Sequence, residues 1–322
     1  MVYIDEPVIS SFFIGEIGWF LQRYQSFFRY LKVHKYPDHK FLIMTNPAYH
    51  TFIKDFVDYT IDLPKEFKEL KLDQDCYEAV FPGASPGALT PAGIYSNLIE
   101  YIRNFYNKEK AIEVWAPRGP NRAIDYTPQL FAKYESAKQT FERPVITVFP
   151  RARVRAAQRN VPEYVWKELV DKLVNSFLVV LAGTPNGACL GDYDDLRVKN
   201  LIRYEEKDKT EQIIGYLNNS VCSISSQSGG THISLLSDCP SYIIGHEKER
   251  HTVLENRYHT PTSFRYVTDY RSIDADTILQ DVAGFLKAME DYNKKEKESN
   301  PDFGKTIEND QTLLKSLQNE SK

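Results

Sequence analysis

Segments of strand character alternate with segments of helical spacing along nearly the whole chain, and this alternation limits the fold more than any other feature of the sequence. Apolar and β-branched runs at residues 8–13, 40–45, 59–64, 111–115, 144–150, 177–182, 201–204, 220–224 and 241–244 read as strands. Between them, residues 20–31, 47–56, 94–105, 130–140, 162–173, 210–217, the stretch after Gly230 and finally 276–289 carry helical spacing. Pro162 suits a first helical turn, and Thr210 is the expected cap of its helix. Strands that alternate with helices pair in parallel and lie under helical layers, so the expected class is α/β with one parallel sheet in each half. Glu142-Arg143-Pro144 breaks the pattern. The expected division is therefore a first domain over 1–143, a second over 144–275, and a terminal helix with a charged tail over 276–322.

The 322 residues, 42% of them hydrophobic, suffice for two cores. A net charge of −4 argues against general nucleic-acid binding. No apolar run approaches the roughly 20 residues that span a bilayer. The first six residues carry no basic segment of the kind that opens a signal peptide, so a cytoplasmic location is expected. Cys76, Cys189, Cys222 and Cys239 are scattered without metal-type spacing and read as reduced core thiols. No metal site and no cofactor are expected.

The strongest local signal is Ser225-Ser226-Gln227-Ser228-Gly229-Gly230-Thr231-His232, set between a β-rich run and a helical one. Glycines let backbone N–H groups converge, and the starting helix adds its positive end, which together suit a phosphate. The plainer reading is an ordinary strand-to-helix turn. A second feature follows the strand at 144–150: Arg151, Arg153, Arg155 and Arg159 fall within nine residues with no acid among them. In a parallel sheet both features lie on the carboxyl edge, and guanidinium groups bind phosphate oxygens in bidentate fashion. The alternative is a solvated basic face or a nucleic-acid contact. Glu16, in the turn after the first strand, lies on the equivalent edge of the first half, either as a catalytic carboxylate or as a capping acid. Residues 81–87 read as a turn-rich loop.

Val148-Phe149-Pro150 followed by Gln158 through Leu169 resembles the start of the second domain of heptosyltransferase-type (family 9) glycosyltransferases, with Val161 where a tryptophan is usual. Val179 through Thr184 resembles that family's next strand and glycine turn. Residues 213–217, then Ser226 through His232 and Pro240, resemble its donor-binding segment, with Gln227 in place of an acid. Gly15-Glu16-Ile17-Gly18 resembles its N-terminal loop, with Trp19 replacing the last acid. The likeness covers about 145–245 well and the first half only in that loop.

The resemblance implies a GT-B fold, two Rossmann-like domains with parallel sheets facing a cleft. It implies a nucleotide-sugar donor held by Ser228, Gly229, Gly230 and Thr231, with His232 at a phosphate, the arginines in place of a metal ion, and Gly183 in a donor-side turn. His246 and Glu255 would meet the base and ribose, and Glu16 would deprotonate the acceptor hydroxyl. The acceptor would be a saccharide, a lipid-linked sugar or a hydroxylated DNA base, with Arg118, Arg122 and Lys133 as candidate DNA contacts. Two other readings are a nucleotide-sugar epimerase of the same fold and a non-catalytic scaffold for sugar nucleotides or nucleic acid.

Overall fold

A computed structural model of the protein describes residues 3–64, 92–115, 128–136, 139–154, 156–203, 208–246 and 257–299. Arg155, Glu255, Arg118, Arg122, Cys76, the 81–87 loop and the tail from 300 onward lie outside the described residues. The chain divides into two compact units, Met1–Ala132 with Glu206–Glu211 and Lys133–Glu205 with Gln212–Lys322.

The first unit holds a parallel sheet of β1 (Val8–Phe12), β2 (Lys40–Thr45), β3 (Tyr59–Asp62) and β4 (Ala111–Glu113) in the order β3-β2-β1-β4. Every residue of β1 is buried, as expected of an inner strand covered on both faces. The connection to β2 is a helix over 17–35 in which two π-helical turns, Phe20–Tyr24 and Leu31–Lys35, interrupt the α geometry. Phe20, Tyr24 and Phe28 form a row along this helix, with ring centroids 5.5 and 4.5 Å apart, and Phe13 caps the row at 5.2 Å from Phe20. On the other face, Leu98 and Ile102 of helix Ala92–Ile102 pack with Phe12, Leu42 and Met44.

The second unit holds β5 (Val145–Phe149), β6 (Leu178–Leu181), β7 (Val198–Asn200), β8 (Ser220–Ser226), β9 (Ser241–Gly245) and β10 (Thr262–Tyr266). Their order, β10-β9-β8-β5-β6-β7, is all parallel and is the 3-2-1-4-5-6 order of dinucleotide-binding sheets. Helix Glu163–Leu173 buries Val165, Trp166, Leu169, Val170 and Leu173, a stripe at helical spacing. Ile278, Val282 and Leu286 of helix Ala275–Ser299 join the same core, so this helix is part of the second unit. The serines of β8 are buried, and several pair across the sheet: Thr147 with Ser220 at 2.8 Å, and Ser223 with Ser241 at 2.9 Å. Such pairing removes the cost of leaving a buried hydroxyl unmatched.

Several expectations need correction. Residues 130–136 are not helical. The backbone there is drawn out because side chains elsewhere take its polar groups. Asn218 accepts from the Ser136 amide at 2.8 Å and donates to the Tyr134 carbonyl at 2.9 Å, while the Tyr134 amide donates to Leu236 O at 2.7 Å. β7 ends at Asn200, before the predicted 201–204, because Asn200 folds back to donate to the carbonyls of Leu190 and Tyr193. Thr210 lies inside helix Lys209–Leu217 and does not cap it. The final helix continues to Ser299, past the predicted 289. β10 was not foreseen. Cys189, Cys222 and Cys239 are buried and free, and burial pushes the first two thiols up to about 12. Among the described residues no helix is long and apolar enough to cross a membrane.

Candidate functional site

In the second sheet β5 and β8 are neighbours, yet the chain leaves them in opposite directions. A crevice opens beyond the carboxyl ends of such a pair, and ligands of open α/β sheets bind there. The Arg151 loop follows β5 on one side of this switch point, and the Ser228-Gly229-Gly230 turn follows β8 on the other. Phe149, the last residue of β5, lies opposite Ser225.

The turn is built to bring helix Gly229–Leu236 close to β5. A Cβ on Gly230 would stand 2.3 Å from the Phe149 ring, so only glycine fits. Thr231 is buried, its hydroxyl 3.0 Å from that of Ser225, and the Ser228 N–H points to it at 3.4 Å. The Thr231 hydroxyl thus braces the turn from inside. The Thr231 amide donates back to Ser228 O at 3.2 Å, so the anion-facing donors of this helix start are the amides of Gly229 and Gly230, where no helical carbonyl precedes and the helix dipole favours an anion.

The arginines have divided roles. Arg151 is only 3% exposed, and its guanidinium donates to the Ala156 carbonyl and to Asn160 Oδ1. Asn160 also binds both backbone groups of Arg153, at 3.1 and 2.9 Å. Ala156 sits at φ 52°, a left-handed corner that this brace holds in place. Arg151 therefore braces the loop through one of its guanidinium nitrogens. Arg153 and Arg159 are half-buried. Burial pushes the Tyr270 hydroxyl up, against the opposing pull of Arg159 and Arg151.

Other residues surround the turn. Gly183, after β6, has φ 153°, and a Cβ there would meet Ala188 Cβ at 2.6 Å, so this glycine is needed for the chain to turn. Gln227 accepts from the His246 amide at 3.3 Å and so links the turn after β8 to the turn after β9. His232 is half-buried, its Nδ1 2.9 Å from the hydroxyl of Tyr258. Neither Asn160 nor Tyr258 was expected at the site. Asn160 is nine residues from Arg151 and its type suits loop bracing, whereas no local signal marks Tyr258.

In the first unit the equivalent switch point lies between β1 and β4. Ser11 Oγ donates to Val114 O at 2.6 Å, and Trp115 lies 5.4 Å from Phe12. Glu16 follows β1 as the half-buried N-cap residue of the 17–35 helix, and its side chain forms no cap hydrogen bond. Gly15, at φ 149°, turns the chain into it, and Tyr49 Oη donates to Gly15 O at 3.1 Å. A second carboxylate, Glu113, is held by Arg103 in a two-pronged pair at 2.8 and 2.6 Å, by Tyr106 at 2.8 Å and by Trp115 at 3.1 Å. It is an anchor for β4, since its oxygens are already matched by donors. A hollow of about 440 Å³ on this unit, lined by Asp58, Tyr59 and Ile61 among others, contains none of the candidate residues. Among the described residues no group of three or more His, Cys, Asp or Glu side chains is placed to hold a metal ion.

Two parallel α/β units, the second in dinucleotide-binding order, define the fold of GT-B glycosyltransferases, as the resemblance implied. Solved structures carry the same fold. The ADP-heptose LPS heptosyltransferase II of E. coli is 14% identical, with 88% of this chain and 99% of that one covered and a TM-score of 0.55. A family 9 glycosyl transferase from Veillonella parvula is 10% identical, covering 89% of this chain and 99% of its own at a TM-score of 0.57. The E. coli heptosyltransferase WaaC with ADP is 11% identical, covering 86% and 99% at a TM-score of 0.52. No protein-family model and no curated protein sequence matches this chain.

Proposed function

We propose that this protein is an inverting, metal-independent glycosyltransferase that moves a sugar from a nucleotide-sugar to an acceptor hydroxyl. The observation that carries the reading is the turn after β8, where Gly230 lies against Phe149 and a helix begins beside the switch point of the sheet. The amides of Gly229 and Gly230, with Arg153 and Arg159, bind the diphosphate. Charge grows on that leaving group as the glycosidic bond breaks, and fixed donors and cations stabilise it without a metal ion. Glu16 takes the proton from the acceptor hydroxyl as its oxygen attacks the anomeric carbon, and single displacement inverts the centre. His246 flanks the base and ribose side. Solved neighbours whose names include ADP-heptose or ADP make an ADP-linked sugar the first donor to test. The acceptor is a saccharide, a lipid-linked sugar or a hydroxylated DNA base.

The test is a thermal-shift screen of ADP-, UDP-, GDP- and CMP-sugars with EDTA present. A ligand of the folded state raises its melting temperature by mass action. One nucleotide class is expected to do so in EDTA, and to do so less in Arg153→Ala and Arg159→Ala. No shift at millimolar concentration with any of them rejects the reading. With a donor in hand, Glu16→Gln is expected to keep donor binding and lower transfer by about 10²–10⁴-fold. Unchanged transfer removes Glu16 as the base.

A further inference from the structure

We infer that Trp115 is a specificity-determining residue on the acceptor side of this site: its indole is a fixed platform on which a pyranose ring of the acceptor stacks. The inference rests on the glycosyltransferase reading above, and it selects a sugar over a hydroxylated DNA base as the acceptor.

Trp115 follows β4, and the loop that carries Glu16 follows β1. The two therefore flank the switch point of the first sheet, where ligands of open α/β sheets bind. The residue before Trp115 is fastened to β1 by both of its backbone groups: the Val114 amide donates to Ser10 O at 2.9 Å, and Ser11 Oγ donates to Val114 O at 2.6 Å. The ring is held as firmly. Its Nε1–H donates to Glu113 Oε2 at 3.1 Å, and Glu113 is itself fixed by the paired bonds from Arg103 and by Tyr106. Phe12 lies against the indole, with centroids 5.4 Å apart and planes at 37°. Trp166 is fully buried in its own core, whereas Trp115 is half-buried, and part of its ring stays open to solvent.

A ring fixed before its ligand arrives loses little rotamer freedom on binding. The indole offers a negative π-face. One face of a pyranose offers C–H groups of partial positive charge, so the two attract while the sugar hydroxyls remain for polar partners. A DNA strand suits this edge poorly. Glu16 and Glu113 are acids, the charge of Arg103 is taken up by Glu100 and Glu113, and the chain carries a net charge of −4. DNA phosphates need cations against them. Glu16 lies four residues beyond Phe12, the residue that backs the indole, so a sugar on this platform sits on the edge of the sheet that bears the proposed base.

Nitrogen-15 labelling of the tryptophans in the full chain tests this, with the indole N–H of Trp115 as the reporter and that of buried Trp166 as the control. The probes are methyl glucoside, galactoside and mannoside, and their octyl counterparts below the micellar concentration. Trp115→Phe assigns the signal. At least one glycoside is expected to shift Trp115 and leave Trp166 unmoved. Equal responses to methyl and octyl forms mark a saccharide acceptor, and a stronger response to the octyl form marks a lipid-linked sugar. Trp115→Leu keeps apolar bulk without the π-face, and is expected to weaken glycoside binding about three- to tenfold, the scale of one aromatic contact, with nucleotide-sugar affinity unchanged. The inference is overturned if no glycoside moves Trp115, if a hydroxymethylated deoxycytidine nucleoside moves it and the glycosides do not, or if Trp115→Leu binds glycosides as tightly as the wild type. The wild-type titration decides the matter even where Trp115→Leu folds poorly. Nucleotide-sugar binding in EDTA checks the donor site separately. Donor binding with no glycoside response removes this inference alone, and a glycoside response with no donor binding removes the glycosyltransferase reading while leaving Trp115 as a sugar site.

Discussion

A methyl group at position 230 has nowhere to go but into the ring of Phe149. Gly230→Ala is expected to cost about 1–3 kcal/mol by overpacking, read as a lower denaturant midpoint. Adding Phe149→Leu should recover part of that loss by removing the ring; no recovery would place the strain elsewhere. Glu113 is a second residue with a definite expectation. The Arg103 guanidinium holds its carboxyl below the ordinary value of 4.5, against an opposing push from burial. A folded-state value lower than the unfolded one means the stabilisation is complete above the ordinary carboxylate range and is lost as pH falls through the folded value. Urea midpoints measured from pH 6 downward should decline less steeply below pH 4.5 in Glu113→Gln than in the wild type; parallel curves would show that Glu113 contributes nothing to the acid limb. At this scale the glycine turn was legible, because its meaning is local: residues without a Cβ between a strand and a helix. The inward turn of Arg151 was not, since an arginine in a basic run looks the same whether it faces a ligand or braces its own loop.

The stretch 130–136 shows how an element can mislead. Leu130, Phe131 and Tyr134 have the three- and four-residue spacing of a helix face. What overrides it is Asn218, 82 residues from Ser136, whose amide group makes three hydrogen bonds to Tyr134, Ser136 and Ser237. Asn218→Ala is expected to cost about 2–3 kcal/mol, near 1 per bond, and to speed hydrogen exchange at the Ser136 amide. Slow exchange in that variant would mean that the segment is held by other contacts. β10 escaped notice for the opposite reason. Thr-Ser-Phe-Arg-Tyr is an edge strand with partly exposed side chains, so it lacks the continuous apolar run that marked β5 and β9.

Across the whole molecule, alternation told of parallel sheets but not of strand order. That order follows from which strand each crossover returns beside, and handedness and packing decide it. The second core is centred on Trp166, fully buried under the sheet. Trp166→Ala is expected to remove about 3–5 kcal/mol from a total that for most proteins is about 5–15 kcal/mol. The denaturant midpoint should fall with an unchanged slope; an unchanged midpoint would show that the core closes over the gap. The aromatic row of the 17–35 helix has a broader consequence. Phe20, Tyr24 and Phe28 recur every four residues, a spacing that drifts by about 40° per step on an ordinary α-helix. The wide turn over Phe20–Tyr24 takes up that drift and keeps the rings in file. It acts as one residue of slack between β1 and β2. A single insertion or deletion there would re-aim the Glu16 loop by rotating the helix start, while the paired strands on either side keep their register.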